Sequence, residues 1–343
     1  MDAQSLRSRA SASRRRDNRS RSQPPSKRVR ARPVIPGAIL LITRRCLERR
    51  LFLNPDAKVA EKLHNFIGYT LGVCLERYHI QLHAAAYPGN HEHLTITDPL
   101  GELPGFKDTL HAWLARGINA LRGRFGSFWS SDEPVDSQPG DPLFDDEEPT
   151  WRPGELDALV YTLTQVSKHK LLPNGSRYPG FTTYGWRFGE TRTFTRPDWF
   201  YDANNPKLPD TVSITLHRPK DVRPGLSDEE LFDELMTRVR ATEISNKAKF
   251  RREGKRFLGE RKIAKQDWNK APRSNEDRFT MAKRVRDRDA KRRVAALSRY
   301  RKWRGRYADA RERQRAGEQG VVFPYGTYWL RRFAGVKVAN APP

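Results

Sequence analysis

From about residue 36 the spacing of apolar and polar positions specifies a series of elements. Ile39 to Thr43 is a short apolar run suited to a buried strand. Pro55 to about Arg77 reads as a helix opening after Asn54, with Val59, Leu63, Phe66 and Ile67 on one face. Two strands follow, Ile80 to Tyr87 and His91 to Thr97, joined by the turn residues Pro88-Gly89-Asn90. A second helix, about Phe106 to Leu121, carries Leu110, Trp113, Leu114, Ile118 and Leu121 at helical spacing. Beyond an acidic, proline-containing stretch, Phe144 marks the place of a short fourth strand. A third helix runs from Glu155 to Leu172 behind Pro153 and covers a core with Leu156, Leu159, Val160 and Leu163. The order predicts an α+β fold. It is a ferredoxin-like β-α-β-β-α-β antiparallel sheet with helices on one face, plus one added helix.

The pattern changes twice more. Residues 175 to 225 are rich in aromatics and proline, including Trp186, Trp199, Phe200 and Tyr201, and contain one alternating strand, Thr211 to Leu216. Those aromatics are expected to pack on the core in preference to stacking on bases. From Ser227 the chain turns helical, with Glu229 and Glu230 in the first turn and Leu231, Leu235 and Val239 as an apolar stripe. Arg284 to Arg315 interleaves many cations with Val294, Leu297, Tyr300 and Trp303. The chain is therefore divided into a disordered basic arm over 1–33, a catalytic domain over 34–174, an extension over 175–225 and a basic helical region over 226–343.

Charge adds a partner to this scheme. The 343 residues hold 65 Lys and Arg against 41 Asp and Glu, a formal charge of +24, and the pI is about 10.4. Such an excess is the electrostatic footprint of a nucleic-acid binder. No segment approaches the ~18 consecutive apolar residues of a membrane span. The arginine-rich beginning leads into no apolar secretory core. Cys46 and Cys74 lack zinc-ligand spacing and are expected reduced, in or near the core. No phosphate-binding or dinucleotide-binding glycine motif is evident, so no nucleotide cofactor is implied.

The candidate chemistry lies in two of the predicted elements. His91 and His93 alternate along one strand and so share a face, where a divalent ion could bridge them. Tyr161 and Gln165, four apart on a helix, also point one way. Four groups from two elements can then meet as a metal-assisted tyrosine nucleophile. Alternation sends Glu92 to the opposite face, where it must find an arginine, reach solvent or become neutral. Lys168 and Lys170 are read as complements to the helix dipole. His79, His83, His111 and His169 are read as ordinary structural or surface residues.

The stretches carrying His91 and His93 (Gly89 to His93), Tyr161 to Gln165, Thr43 to Pro55, and Asn119 to Arg124 with Phe128 to Ser131 resemble the single-tyrosine HUH transposases, specifically their REP-associated tyrosine transposase branch. The resemblance spans residues 36 to 220 approximately. It implies that His91, His93 and Gln165 hold Mg2+ or Mn2+ and that Tyr161 is catalytic. It further implies attack on single-stranded DNA near a repeat hairpin, with a 5'-phosphotyrosine intermediate and a free 3'-hydroxyl. The implied partners are single-stranded or hairpin DNA, with no membrane, and the implied location is the cytoplasm, in association with the nucleoid; monomer and dimer both stay open. Two positions depart from the branch: Glu92 stands where a bulky, often apolar residue is usual, and Val166 where proline is common. The alternative is a catalytically silent, domesticated DNA-binding protein that keeps the fold. Phe323 to Leu330 resembles the end of longer relatives, with no chemistry attached to it.

Overall fold

The structure, a computed structural model, describes residues 31–130, 135–139, 153–202, 204–220, 222–271, 285–286 and 290–341. The elements run β1 (Ile39–Arg45), α1 (Ala60–Arg77), β2 (Gln81–Ala86), β3 (His91–Thr97), α2 (Leu103–Leu121), β4 (Val135–Pro139), α3 (Pro153–Leu163) and α4 (Gln165–Lys168). They continue with β5 (Thr191–Thr195), β6 (Thr211–Thr215), α5 (Asp228–Arg252), α6 (Glu260–Ala264), β7 (Val285–Arg286), α7 (Ala290–Arg315), β8 (Val322–Phe323), α8 (Trp329–Ala334) and β9 (Lys337–Val338). The main sheet has the order β2-β3-β1-β4-β7. Its first four strands pair antiparallel, the arrangement of a ferredoxin-like unit, and β7 joins β4 in parallel. The expected α+β class is what the chain adopts.

Alternation along β3 decides what each face of the sheet does. Glu92, Leu94 and Ile96 turn one way, where Glu92 meets His111 of α2. His91, His93 and Thr95 turn the other way, where the Thr95 hydroxyl lies 2.8 Å from that of Thr162 on α3. Helices cover both faces, so all seven residues of β3 are buried. The Pro88-Gly89-Asn90 turn makes the hairpin, with Gly89 at φ 57°, a left-handed backbone that glycine adopts without a Cβ clash.

Two helix boundaries differ from expectation for identifiable reasons. α1 starts at Ala60, not Pro55, because tertiary contacts hold the preceding residues in a turn. Asp56 pairs with Arg122 of the α2 C-cap, and the Asn54 amide donates to the Ile263 carbonyl at 3.0 Å. The tyrosine helix is interrupted at Thr164 (φ −90°, ψ 6°) and ends at Lys168, not Leu172. Thr164 Oγ1 donates back to the Val160 carbonyl at 2.8 Å, and Lys170 takes φ 58° just past the end. The strand expected at Phe144 and most of the N-terminal arm lie outside the described residues; β4 is at Val135–Pro139.

The aromatic extension packs on α1 as expected. A Cβ on Gly68 would lie 2.2 Å from the Phe194 ring of β5, so only glycine lets the β5–β6 hairpin approach this closely. Trp199, Phe200 and Tyr201 surround Phe66, with ring centroids 5.2, 5.3 and 6.0 Å away. Burial of one such aromatic side chain stabilises the fold by about 1.5–3 kcal/mol. α5 begins at a reciprocal capping box: the Ser227 hydroxyl accepts from the Glu230 amide while Glu230 accepts from the Ser227 amide. Leu231, Leu235 and Val239 bury its stripe. The Phe323 to Leu330 segment ties the basic region to the core, since Gly326 accepts from the Val34 amide at 2.9 Å and Tyr328 donates to Glu102 at 3.2 Å. Cys46 and Cys74 are buried free thiols. Among the described residues no helix is long and apolar enough to cross a membrane.

Candidate metal and tyrosine site

β3 and the α3–α4 helix bring the candidate residues together. The His91 and His93 rings stand 4.7 Å apart, edge to face. Tyr161 meets them from α3, its ring centroid 5.3 Å from that of His93. Gln165 and His169 follow at intervals of four and stay on the same side across the break at Thr164, His169 being the cap just past Lys168. His169 Nε2 lies 3.0 Å from His91 Nε2 and 3.2 Å from Gln165 Oε1. The Gln165 amide nitrogen donates to the Tyr161 carbonyl at 2.6 Å.

The cluster has the donor geometry of a cation site. One ligand nitrogen each from His91, His93 and His169 lies within 4.8 Å of the others. His91 Nδ1 donates to Asn90 Oδ1 at 2.7 Å, which leaves the lone pair on Nε2, the nitrogen facing His169. Thr43 Oγ1 lies 3.0 Å from His93 Nδ1 and orients that ring in the same manner. Two nitrogens bound at about 2.1 Å and at right angles stand about 3.0 Å apart, so the His91–His169 spacing suits a shared ion. Burial, then the His169 ring and the Arg45 and Lys168 charges, push His91 well below the usual imidazole range. His169 is exposed to solvent. The protein packed around its ring, then the Lys168, Arg45, Arg49 and Lys170 charges, bring it down to about 4. Neutral imidazoles are the form that ligates.

A cleft of about 550 Å³ opens over the tyrosine between α3–α4 and α5. Tyr161, Lys168 and His169 line one wall, and Asn246, Lys249 and Phe250 the other. Lys168 Nζ sits 4.0 Å over the Tyr161 ring. Lys168 and Lys249 on opposite walls, with His169 beside Lys168, suit an anion more than a neutral molecule.

The four residues singled out from the sequence thus converge, and two further residues join them. His169, read from the sequence as an ordinary histidine, stands among the ligand donors; its signal was the repeat of four that links it to Tyr161 and Gln165. Lys168, read as a dipole complement, lies on the tyrosine ring. Glu92 does not reach solvent, and the partner it meets is a histidine. It is fully buried and pairs with His111, itself 2 % exposed, because α2 lays that imidazole over the sheet. The Trp129 indole donates to the His111 carbonyl at 2.8 Å and closes this side.

No protein-family profile and no curated protein sequence matches the chain. A solved structure of a REP-associated tyrosine transposase bound to a REP hairpin is similar at a TM-score of 0.32 and 11% identity, covering 45% of this chain and 81% of that one. A likeness that distant leaves the function to be argued from the site itself.

Proposed function

We propose that this protein is a metal-dependent, single-tyrosine DNA strand transferase that cuts and rejoins single-stranded DNA at repeat hairpins. The observation that carries the reading is the placement of the Tyr161 ring against His93 at the edge of the His91–His93–His169 cluster. Those three histidines would hold the ion, with Gln165 against His169 as a fourth polar group. When bound, the ion polarises the scissile phosphate and offsets its charge. Mg2+ and Mn2+ are the ions the family resemblance implies, and three nitrogen donors favour Mn2+ of the two, because imidazole suits transition metals and magnesium prefers oxygen.

Tyr161 is the nucleophile. Its phenolic oxygen forms the bond to phosphorus, the bond from phosphorus to the 3'-oxygen breaks, and the departing 3'-oxygen takes up a proton. The product is a 5'-phosphotyrosine and a free 3'-hydroxyl. An unperturbed phenol titrates near ~10, so it needs a neighbouring cation to favour the ionised form. Lys168, 4.0 Å above the ring, is placed to supply one. The covalent link keeps the bond energy for rejoining, so no external energy source is required. Lys249 at the cleft rim, together with the net charge of +24, suits a phosphate backbone. The Glu92–His111 pair supports an intact histidine strand, because the acidic residue has its partner on the far face.

The test is incubation with end-labelled single-stranded hairpin repeats, taken from DNA flanking the gene, in Mg2+ or Mn2+, followed by denaturing electrophoresis. A protein-linked label that disappears in Tyr161→Phe is the expected result. Tight binding with no adduct in either metal would replace this reading with the silent DNA-binding one.

A further inference from the structure

A second cavity, of about 430 Å³, lies in the C-terminal region, between α7 and the β8–β9 pair. It shares no lining residue with the tyrosine cleft. Its size falls in the range of small-ligand pockets, about 300–1,000 Å³. The floor is apolar: Trp303, stacked on Tyr307 at 5.4 Å, and Phe323 are buried under it, and the half-buried Pro324 and Tyr325 lie beside them. Trp303 is locked in place, since its indole nitrogen donates to the Tyr325 carbonyl at 2.6 Å. Lys302 and Arg306, one helical turn apart, stand at the rim, and among the described residues neither makes an ion pair. Arg313 at the far end is already committed to Glu318. Asp309 and Asn340 add an acceptor and an amide to the lining.

We propose that this cavity holds one unpaired nucleotide of a single DNA strand, with the base in the apolar slot and its phosphate on Lys302 and Arg306. A flat base can lie on the half-buried Tyr325 and Pro324 and present an N–H group to Asp309, while the two unpaired cations meet the backbone. An acidic peptide would bring a second carboxylate against Asp309 and offers no ring for the slot. The site is independent of covalent chemistry: a protein that never forms an adduct would still bind a strand here.

The experiment uses the full chain with Tyr161→Phe, so that only reversible binding is read. Fluorescence anisotropy follows a short labelled thymidine oligonucleotide with Lys302→Glu/Arg306→Glu, and with Arg301→Glu/Arg311→Glu as a control of equal charge on the same helix but outside the cavity. The cavity pair is expected to weaken binding at least tenfold and the control no more than about threefold. Ala339→Trp, an exposed position on the cavity wall, fills the space without removing charge and is expected to weaken binding about fivefold. Equal losses in the two charge pairs, or no effect of Ala339→Trp, would overturn the site in favour of a diffuse basic surface. Competition by free thymidine monophosphate at micromolar concentration would overturn the strand and assign the cavity to a free nucleotide.

Discussion

Each face of β3 has an imidazole on it, and the two faces use it in opposite ways. On one face a carboxylate and an imidazole, Glu92 and His111, pair with each other under α2 and Trp129. On the other, His91 and His93 meet His169 beside an open cleft, and their nitrogens converge on one another. A strand reverses its side chains at every residue, so one stretch of three, His91-Glu92-His93, supplies both arrangements. A histidine's role here follows from what the facing helix presents to it.

The largest effect should come from the open face. Tyr161→Phe is expected to abolish the covalent DNA adduct while leaving reversible DNA binding within about twofold, because only the nucleophilic oxygen is lost. An adduct that survives would remove Tyr161 from the chemistry and make the two faces equally structural. Thermal melting should be unchanged, which separates this loss from unfolding.

The sealed face should fail in the other currency, stability. His111→Ala leaves the fully buried Glu92 carboxylate without its partner and is expected to cost about 3–5 kcal/mol in urea unfolding. Replacing both partners, Glu92→Leu with His111→Leu, is expected to recover most of that, since well-packed apolar residues can substitute for a buried pair. If the double variant folds but loses metal binding, the two faces are coupled through the strand, and the separation drawn above is wrong.

A smaller effect is expected at His169. His169→Ala should weaken Mn2+ affinity about 10–100-fold by calorimetry, and Gln165→Ala by less, if the glutamine mainly orients the imidazole. The reverse ranking would make Gln165 the ligand and His169 a bystander.

The faces differ, too, in how much of them could be read from the chain. β3 is legible to the residue because its period of two and its turn are local properties, and local patterning also places Tyr161 and Gln165 together. The capping box at Ser227 is equally local. What escaped is contact between elements distant in sequence. His111 is an unremarkable helical residue until α2 lies over Glu92, and the α1 start moves to Ala60 only because Arg122 and Ile263 occupy Asp56 and Asn54. His169 lies between these cases. Its spacing from Gln165 was visible, but the end of the helix at Lys168 is what lets its ring turn inward to His91.

A buried carboxylate on the cleft side sharpens the contrast with Glu92. Glu243 of α5 is 6 % exposed and is met by neutral donors, the Tyr184 hydroxyl at 3.1 Å and the Gly175 amide at 3.2 Å. Burial pushes its carboxyl up to about 7. In the folded state it therefore holds its proton through a range in which the unfolded chain has lost it. The stability this contributes is complete below about pH 4.5, the ordinary glutamate range, and is lost as pH rises through about 7. Glu243→Gln removes the titration while keeping an acceptor and a donor in the same shape. The variant should match the parent near pH 4.5 and exceed it by about 1–3 kcal/mol at pH 8, read as a melting temperature that no longer falls between those values. Parallel curves for the two proteins across that range would mean that Glu243 is ionised throughout, and that burial does not hold its proton in the folded state.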